Sequence, residues 1–312
     1  MKIINDFDLR KQAKNLGVSI WKTPSFLFIV MGLINVIAMT ATFFISRRYD
    51  EPGIVVITEA LVVSLIFIIG NFIIRQVEEM AKLNKLKSEF VSVASHQLRT
   101  PLSAIRWETE LMLTKLNVGL NEKQRNSIAT INILADRMTR LVNDLLDVTR
   151  IDQCKLILNK ESVNILDVVD RVVCDFFSLA SAKNIKVIVN KKGKITDAIA
   201  DKEKIKLAIE NLLSNAIKYT QARGKIEINI SKSRGFLVFS IKDNGVGIPE
   251  AQQSQVFNKF FRSSNVVRYQ TEGTGLGLYI TKNIIEQSGG KIWFKSKEHT
   301  GTIFNFSLPL YR

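Results

Sequence analysis

Apolar residues are spread unevenly along the chain. Two long runs come first: residues 26–45 carry no charge, and residues 54–74 carry only Glu59. Each holds about 20 residues, which at about 1.5 Å per residue spans a hydrocarbon layer of roughly 30 Å. Beyond Ile74 the pattern narrows to a stripe. Leu83, Leu86, Phe90, Val93 and Gln97 follow a three-four spacing, and Ile131, Leu134, Met138, Leu141, Leu145 and Val148 repeat it more cleanly. Between the stripes, residues 117–121 include Gly119 and predict a turn, with Asn121 capping the second helix and Gln124 completing a capping box. Two antiparallel helices cannot bury such seams alone, so the pattern predicts a homodimeric four-helix bundle.

From about Ser162 the period alternates. Helices are expected over 165–181, 201–218 and 276–287, and strands over 185–189, 225–230, 236–242, 291–295 and 302–308. The expected architecture is therefore α+β and multidomain. It comprises an N-terminal segment (1–25), a two-span hairpin (26–74, spans 26–45 and 54–74), a dimerisation hairpin (75–157) and an α/β domain (158–312).

Charge refines this picture. The formal net charge is +15. Lys2, Arg10, Lys11, Lys14 and Lys22 precede the first span and Arg75 follows the second, whereas Arg47 and Arg48 in the short loop are offset by Asp50 and Glu51. That bias predicts a multi-pass protein of the inner (cytoplasmic) membrane with both termini in the cytoplasm. The first apolar run starts late and lacks a small-x-small cleavage site, unlike a signal peptide. The basic charges are scattered without interleaved aromatics, which argues for a neighbouring anionic leaflet and against a nucleic-acid partner. Cys154 and Cys174 form neither a CxxC pair nor a metal-ligand spacing, and read as free thiols. Glu59 is costly in lipid, which suggests protonation, pairing with a partner chain or a sensing role.

Four short stretches carry candidate chemistry. The first is Ser95-His96-Gln97-Leu98-Arg99-Thr100-Pro101-Leu102. A neutral imidazole is a competent nucleophile toward phosphorus. Pro101 removes the helical hydrogen bond to the Gln97 carbonyl, loosening the turn that carries His96. The second runs from Asn211 to Tyr219, where Asn211 and Asn215 share a helix face and two amide oxygens could hold Mg²⁺. The third, Asp243-Asn244-Gly245-Val246-Gly247-Ile248-Pro249, puts a carboxylate at a strand end, with Gly245 and Gly247 allowing close backbone approach. The fourth, Gly273-Thr274-Gly275-Leu276-Gly277-Leu278, opens a helix with backbone N–H groups that suit phosphate. It has neither the strand-first context of a Rossmann fingerprint nor the Gly-Lys-Ser/Thr of a P-loop.

These stretches, in this order, resemble the H box, N box and two glycine boxes of sensor histidine kinases of two-component systems. Val256-Phe257-Asn258-Lys259-Phe260-Phe261-Arg262 is similar to the family's F box, and the resemblance covers roughly residues 83–308. The short extracytoplasmic loop resembles that of small kinases that sense within the membrane. The resemblance implies a dimeric phosphoacceptor bundle and a GHKL-type α/β sandwich that binds ATP and Mg²⁺. It implies phosphorylation of His96, transfer to an aspartate of a cytoplasmic response regulator, and phosphatase activity as well. Gln97 stands where the family often has Glu or Asp, so a tautomer-fixing amide replaces a proton-accepting carboxylate. Thr100 matches the position that orients water in dephosphorylation. Asn215 matches the main metal ligand, with Asn211 beside it, Lys218 on phosphate and Tyr219 against the nucleoside. Asp243 would accept the adenine exocyclic N–H. Gly273, Thr274, Gly275, Leu276 and Gly277 would cradle phosphate, and Arg262, at the start of a lid, would reach the γ-phosphate. His299 has no metal-ligand neighbours and is expected to be inert. The competing readings are a GHKL ATPase clamp and a catalytically weak scaffold. A membrane partner protein remains a further expectation, since the spans and their loop must carry any stimulus.

Overall fold

The computed structural model describes residues 19–46, 52–115, 119–153, 155–193, 197–233, 235–263 and 273–311. They form two compact units: residues 1–100 with 152–155, and residues 101–151 with 156–311 among those described.

The first unit begins with a short 3-10 turn that leads into helix α1 (Pro24–Ser46), followed by the start of α2 (Pro52–Thr114). Pro24–Ile45 and the N-terminal part of α2 from Val56 are long and apolar enough to cross a membrane. Their apolar side chains are mostly exposed, which suits a lipid solvent. The two helices meet where Met31 lies on Gly70, a position at which any Cβ would collide with the thioether. Helix α2 has 63 residues and continues without a break past His96 and through Pro101. The expected flanking charges Lys2, Arg10, Lys11, Lys14, Arg47, Arg48, Asp50 and Glu51, and Cys154, lie outside the described residues.

Helix α3 (Glu122–Asp152) begins as the sequence predicts. The backbone N–H of Gln124 donates to Asn121 Oδ1, and the N–H of Asn121 donates to Gln124 Oε1, both at 2.9 Å. Thr109 Oγ1 donates to Asn132 Oδ1 at 3.0 Å, and Arg106 pairs with Asp136 at 3.6 Å, tying the end of α2 to α3. Phe90, at 74% exposure, and Leu134, at 50%, leave the seams uncovered among the described residues. Val148 departs from the expected seam. It is buried and joins the core of the α/β domain, because the last turns of α3 pack there with Ile151.

The α/β domain holds strand β1 (Glu161–Val163), helices α4 (Ile165–Asp175) and α5 (Phe177–Ala182), and strands β2 (Lys186–Lys192) and β3 (Ala198–Ala200). Helix α6 (Lys202–Tyr219) and strands β4 (Lys225–Ser233) and β5 (Phe236–Asp243) follow. A 3-10 helix (Glu250–Gln255), helix α7 (Gly277–Gln287) and strands β6 (Lys291–Lys297) and β7 (Gly301–Pro309) complete it. The helix expected over 165–181 is broken at Phe176, which caps α4 through its N–H to the Val172 carbonyl while opening α5. Strands β1 and β3, only three residues each, form a separate antiparallel pair that the period did not predict.

The main sheet has the order β2-β4-β5-β7-β6, with only β2 and β4 parallel. Its inner face carries Ile226, Ile228, Ile230, Leu237, Phe239, Phe306 and Leu308, all fully buried against α4, α6 and α7. Phe239 and Phe306 stack with centroids 4.6 Å apart at its centre. Burying one face of a mixed sheet beneath helices fits the two-layer sandwich expected for this domain.

Candidate nucleotide site and phosphoacceptor helix

Asp201 begins the construction of the pocket, capping α6 by accepting from the Lys204 N–H at 3.1 Å. The buried face of α6, including Ile205, Ile209, Leu212, Leu213 and Ala216, seats it on the sheet. That leaves Asn215 and Tyr219 facing a cleft. Asp243 closes the cleft from the end of β5, and Gly247, Arg262 and Gly275 also line it. The cleft thus unites residues from the second, third and fourth stretches and from the F box.

Asp243 is 8% exposed. Its Oδ1 accepts the N–H of Gly245 at 2.9 Å and of Thr302 at 3.2 Å. Burial pushes its carboxyl above the ordinary value, and the two backbone donors oppose that rise. Because Oδ1 is occupied by the backbone, Oδ2 is the oxygen suited to a ligand N–H. Tyr219 is also pushed up by burial, against the nearby Arg262 cation. Ile248, Val256, Phe261, Leu278 and Phe304 complete an apolar wall suited to a flat heterocycle.

Two glycines are required by geometry. Gly247 has φ +67°, and a Cβ there would strike the Lys297 carbonyl. Gly275 has φ +70°, and a Cβ would meet the Phe260 backbone at 2.7 Å. His299 is a turn residue, with φ 60° and its N–H donating to the Val246 carbonyl at 2.8 Å, which holds the β6–β7 hairpin over the first glycine box.

Other expected residues lie around the cleft and do not line it. Asn211 spends its amide nitrogen on the Gly277 carbonyl at 3.4 Å and Thr281 Oγ1 at 3.5 Å, joining α6 to α7. Lys218 Nζ lies 5.2 Å from the Tyr219 ring centroid and close to Gly273. Gly245 supports Asp243 through its backbone. Leu276 is buried, and its N–H donates to Thr274 Oγ1 at 3.1 Å. Thr274 Oγ1 donates in turn to Asp144 Oδ2 of α3 at 3.3 Å. Burial raises the Asp144 carboxyl, with the Thr274 hydrogen bond opposing. Residues 264–272, the centre of the expected lid, lie outside the described residues.

Sequence reasoning missed three contributors. Thr302, 59 residues from Asp243, shares its carboxylate and lines the cleft; only the strand pairing brings them together. Lys183 caps the far end of α6, donating to the Ile217 and Lys218 carbonyls at 3.0 and 3.1 Å. Lys204 pairs with Asp147 of α3 at 2.9 Å, and both side chains are largely buried.

In the other unit, His96, Gln97 and Thr100 are all exposed on α2, one turn or less apart, while Ser95 beside them is buried. Nothing on the helix itself hides the imidazole.

The family described as histidine kinase-, DNA gyrase B- and HSP90-like ATPase matches residues 200–312, and the His Kinase A (phospho-acceptor) domain matches residues 86–154. The chain is 33% identical over 239 residues to the sensor histidine kinase WalK of Bacillus subtilis, covering 76% of this chain and 39% of WalK. It is 32% identical to the sensor protein SrrB of Staphylococcus aureus, covering 76% of this chain and 40% of that one. The chain therefore spans less than half the length of these relatives. Among solved structures, full-length ShkA in complex with AMPPNP superposes with a TM-score of 0.60 at 26% identity, over 71% of this chain and 46% of ShkA.

Proposed function

This chain belongs to the sensor histidine kinases of two-component systems, and from that premise we propose that it phosphorylates itself on His96 with ATP and passes the phosphoryl group to an aspartate of a response regulator. The observation that carries this reading is the cleft in which Asp243, Asn215 and Gly275 converge, in a chain that also presents an exposed imidazole in an H-box helix.

The residues fit adenine nucleotide. Asp243 offers one carboxylate oxygen beyond those its backbone donors use, and the apolar wall accepts a purine. The glycine at 275 keeps the backbone close to Phe260, where a side chain would fill the space. Mg²⁺ would be held by Asn215 together with the nucleotide's phosphates, and it would neutralise charge on the transferring group. A proximal role for Asn211 would fall to its carbonyl oxygen, since its nitrogen joins α7.

In the transfer, the unprotonated ring nitrogen of His96 attacks Pγ, and the bond from Pγ to the β–γ bridging oxygen breaks, releasing ADP. The other ring nitrogen gives up its proton to water, because the Gln97 amide can accept a hydrogen bond but not a proton. An aspartate of the regulator then takes the phosphoryl group and frees His96. Thr100, one turn from His96, would orient water for hydrolysis of the regulator's phosphoaspartate, which releases inorganic phosphate. The exposed seams of α2 and α3 support a homodimer, the two apolar helices support a multi-pass membrane protein, and the Lys and Arg bias of the flanking sequence supports cytoplasmic ends.

Incubating the full chain in lipid with γ-labelled ATP tests the reading. Acid-labile label on His96 that chases onto a response regulator supports it. ATP turnover without label would favour an ATPase clamp, and neither turnover nor label a scaffold.

A further inference from the structure

The main sheet has two faces, and only the inner one lies under helices among the described residues. The register lays out the other face in rows across all five strands. Ile188, Glu227, Lys242, Ile303 and Lys295 form one row, and Asn190, Asn229, Ser240, Asn305 and Trp293 form the next. Above and below them stand Lys186 beside Lys225, Lys297 and Lys291. Every one of these lysines is exposed. The single acid on the face, Glu227, is paired with Lys225. Trp293 is 40% exposed in the middle of β6, with Lys291 and Lys295 two positions to either side.

We propose that this open sheet face docks on the anionic phospholipid surface of the leaflet in which the chain is anchored, with Trp293 seated among the headgroups. The proposal rests on the reading of α1 and the start of α2 as membrane spans. Three observations favour this occupant. The face carries a net positive charge that nothing on it balances, which suits a broad negative surface. A tryptophan flanked by lysines is the composition that settles at a membrane–water interface. The spans keep the domain close to a leaflet, so weak docking suffices. Single-stranded nucleic acid fits less well, because the two aromatic side chains on this face, Trp293 and Phe236, stand on non-adjacent strands and form no continuous stacking track.

The test uses the full chain in nanodiscs of phosphatidylcholine alone, or with one third phosphatidylglycerol, all with brominated acyl chains. Trp21→Phe and Trp107→Phe leave Trp293 as the one fluorophore. Quenching severalfold greater in the anionic discs, relieved by high salt, is the expected result. Lys242→Ala, Lys291→Ala and Lys295→Ala together should lose it, since each lysine is worth roughly fivefold near an anionic surface. Amide exchange of β6 in the unsubstituted chain gives a parallel readout, slower in anionic discs. Equal quenching in both lipids, or quenching unchanged by the triple substitution, overturns the proposal. A chain that fails to co-elute with the discs overturns the membrane reading and the proposal with it, whereas one that co-elutes without quenching overturns the proposal alone. Salt-sensitive capture by an acidic polypeptide, with no quenching in anionic discs, would assign the face to a protein and likewise overturn the lipid assignment.

Discussion

Asp243 and His96 are the two residues on which the proposed chemistry turns, and the molecule places them in opposite ways. Asp243 is buried at a strand end, with one oxygen committed to backbone donors from two segments. Its position is over-determined by the sheet, and its environment changes its acidity. His96 stands exposed on a continuous helix, so its orientation depends on how that helix is rotated and supported. A nucleotide site profits from burial, which strengthens each directional contact and excludes water. A phosphoacceptor of the proposed kind must be reached in turn by the kinase's own ATP domain and by a regulator, and burial would defeat that. One residue is fixed by its surroundings, the other left available to them.

Substitution at each pole should break the comparison in a different way. His96→Ala should abolish phosphorylation while leaving ATP affinity and thermal stability within about 0.5 kcal/mol of the parent, as for other exposed sites. Label incorporation, nucleotide titration and a melting curve check the three statements. Label retained on the variant would move the acceptor elsewhere. Asn215→Ala comes next. Loss of the proposed Mg²⁺ ligand should slow autophosphorylation by roughly a hundredfold or more, with little change in Mg²⁺-independent nucleotide binding. A rate near the parent's would place the metal on other atoms.

A milder change sharpens the exposed pole. Gln97→Glu supplies a proton acceptor beside the imidazole. General-base assistance commonly reaches about a hundredfold, so a gain of even several-fold in single-turnover autophosphorylation would show that proton removal limits the parent. An unchanged rate would place the limit at phosphoryl transfer or lid closure.

The same contrast explains what the sequence disclosed. Local devices were readable: the Asn121–Gln124 capping box, the strand-end Asp243 and the glycines that open α7 each act within a few residues. What was not readable depends on partners distant in the chain. Thr302 reaches Asp243 only because β5 and β7 pair. Val148 fits the heptad seam by spacing, yet its last-turn position brings it under the α/β domain. Asn211 and Asn215 look equivalent on one helix face, but the approach of α7 engages the first and leaves the second to line the cleft. The break at Phe176 arises between two apolar stretches whose common helical period hides it.

The clasp between α3 and α6 should have a smaller effect than the substitutions at either pole. Asp147→Ala leaves the Lys204 ammonium, 23% exposed, without the carboxylate that holds it at 2.9 Å. Stranding a charge at a largely buried position costs about 1–3 kcal/mol, read as a lower melting temperature. Replacing both partners, Asp147→Leu with Lys204→Met, should recover much of that loss. Failure of the double variant to recover would show that the pair also fixes the packing of α3 on the domain.

Asp243→Asn should shift stability only slightly, and that shift carries a sign that separates binding from stability. Burial raises the folded carboxyl above its unfolded value, so the unfolded chain ionises first as pH rises. The native state therefore loses stability as pH passes from the unfolded to the folded pKa, and the full cost persists above it. Asparagine keeps an Oδ1 to accept from Gly245 and Thr302 but carries no charge to desolvate. The variant should thus melt slightly above the parent at neutral pH and converge with it in acid, below the unfolded pKa. Its affinity for ATP should fall, because the exocyclic N–H would lose a charged acceptor. The parent's own ATP affinity should decline on acidification earlier than an ordinary carboxylate would dictate. Calorimetry and nucleotide titration across pH check both halves. A variant that melts lower at neutral pH yet binds ATP normally would show that the Asp243 charge stabilises the fold and has no part in recognising the base.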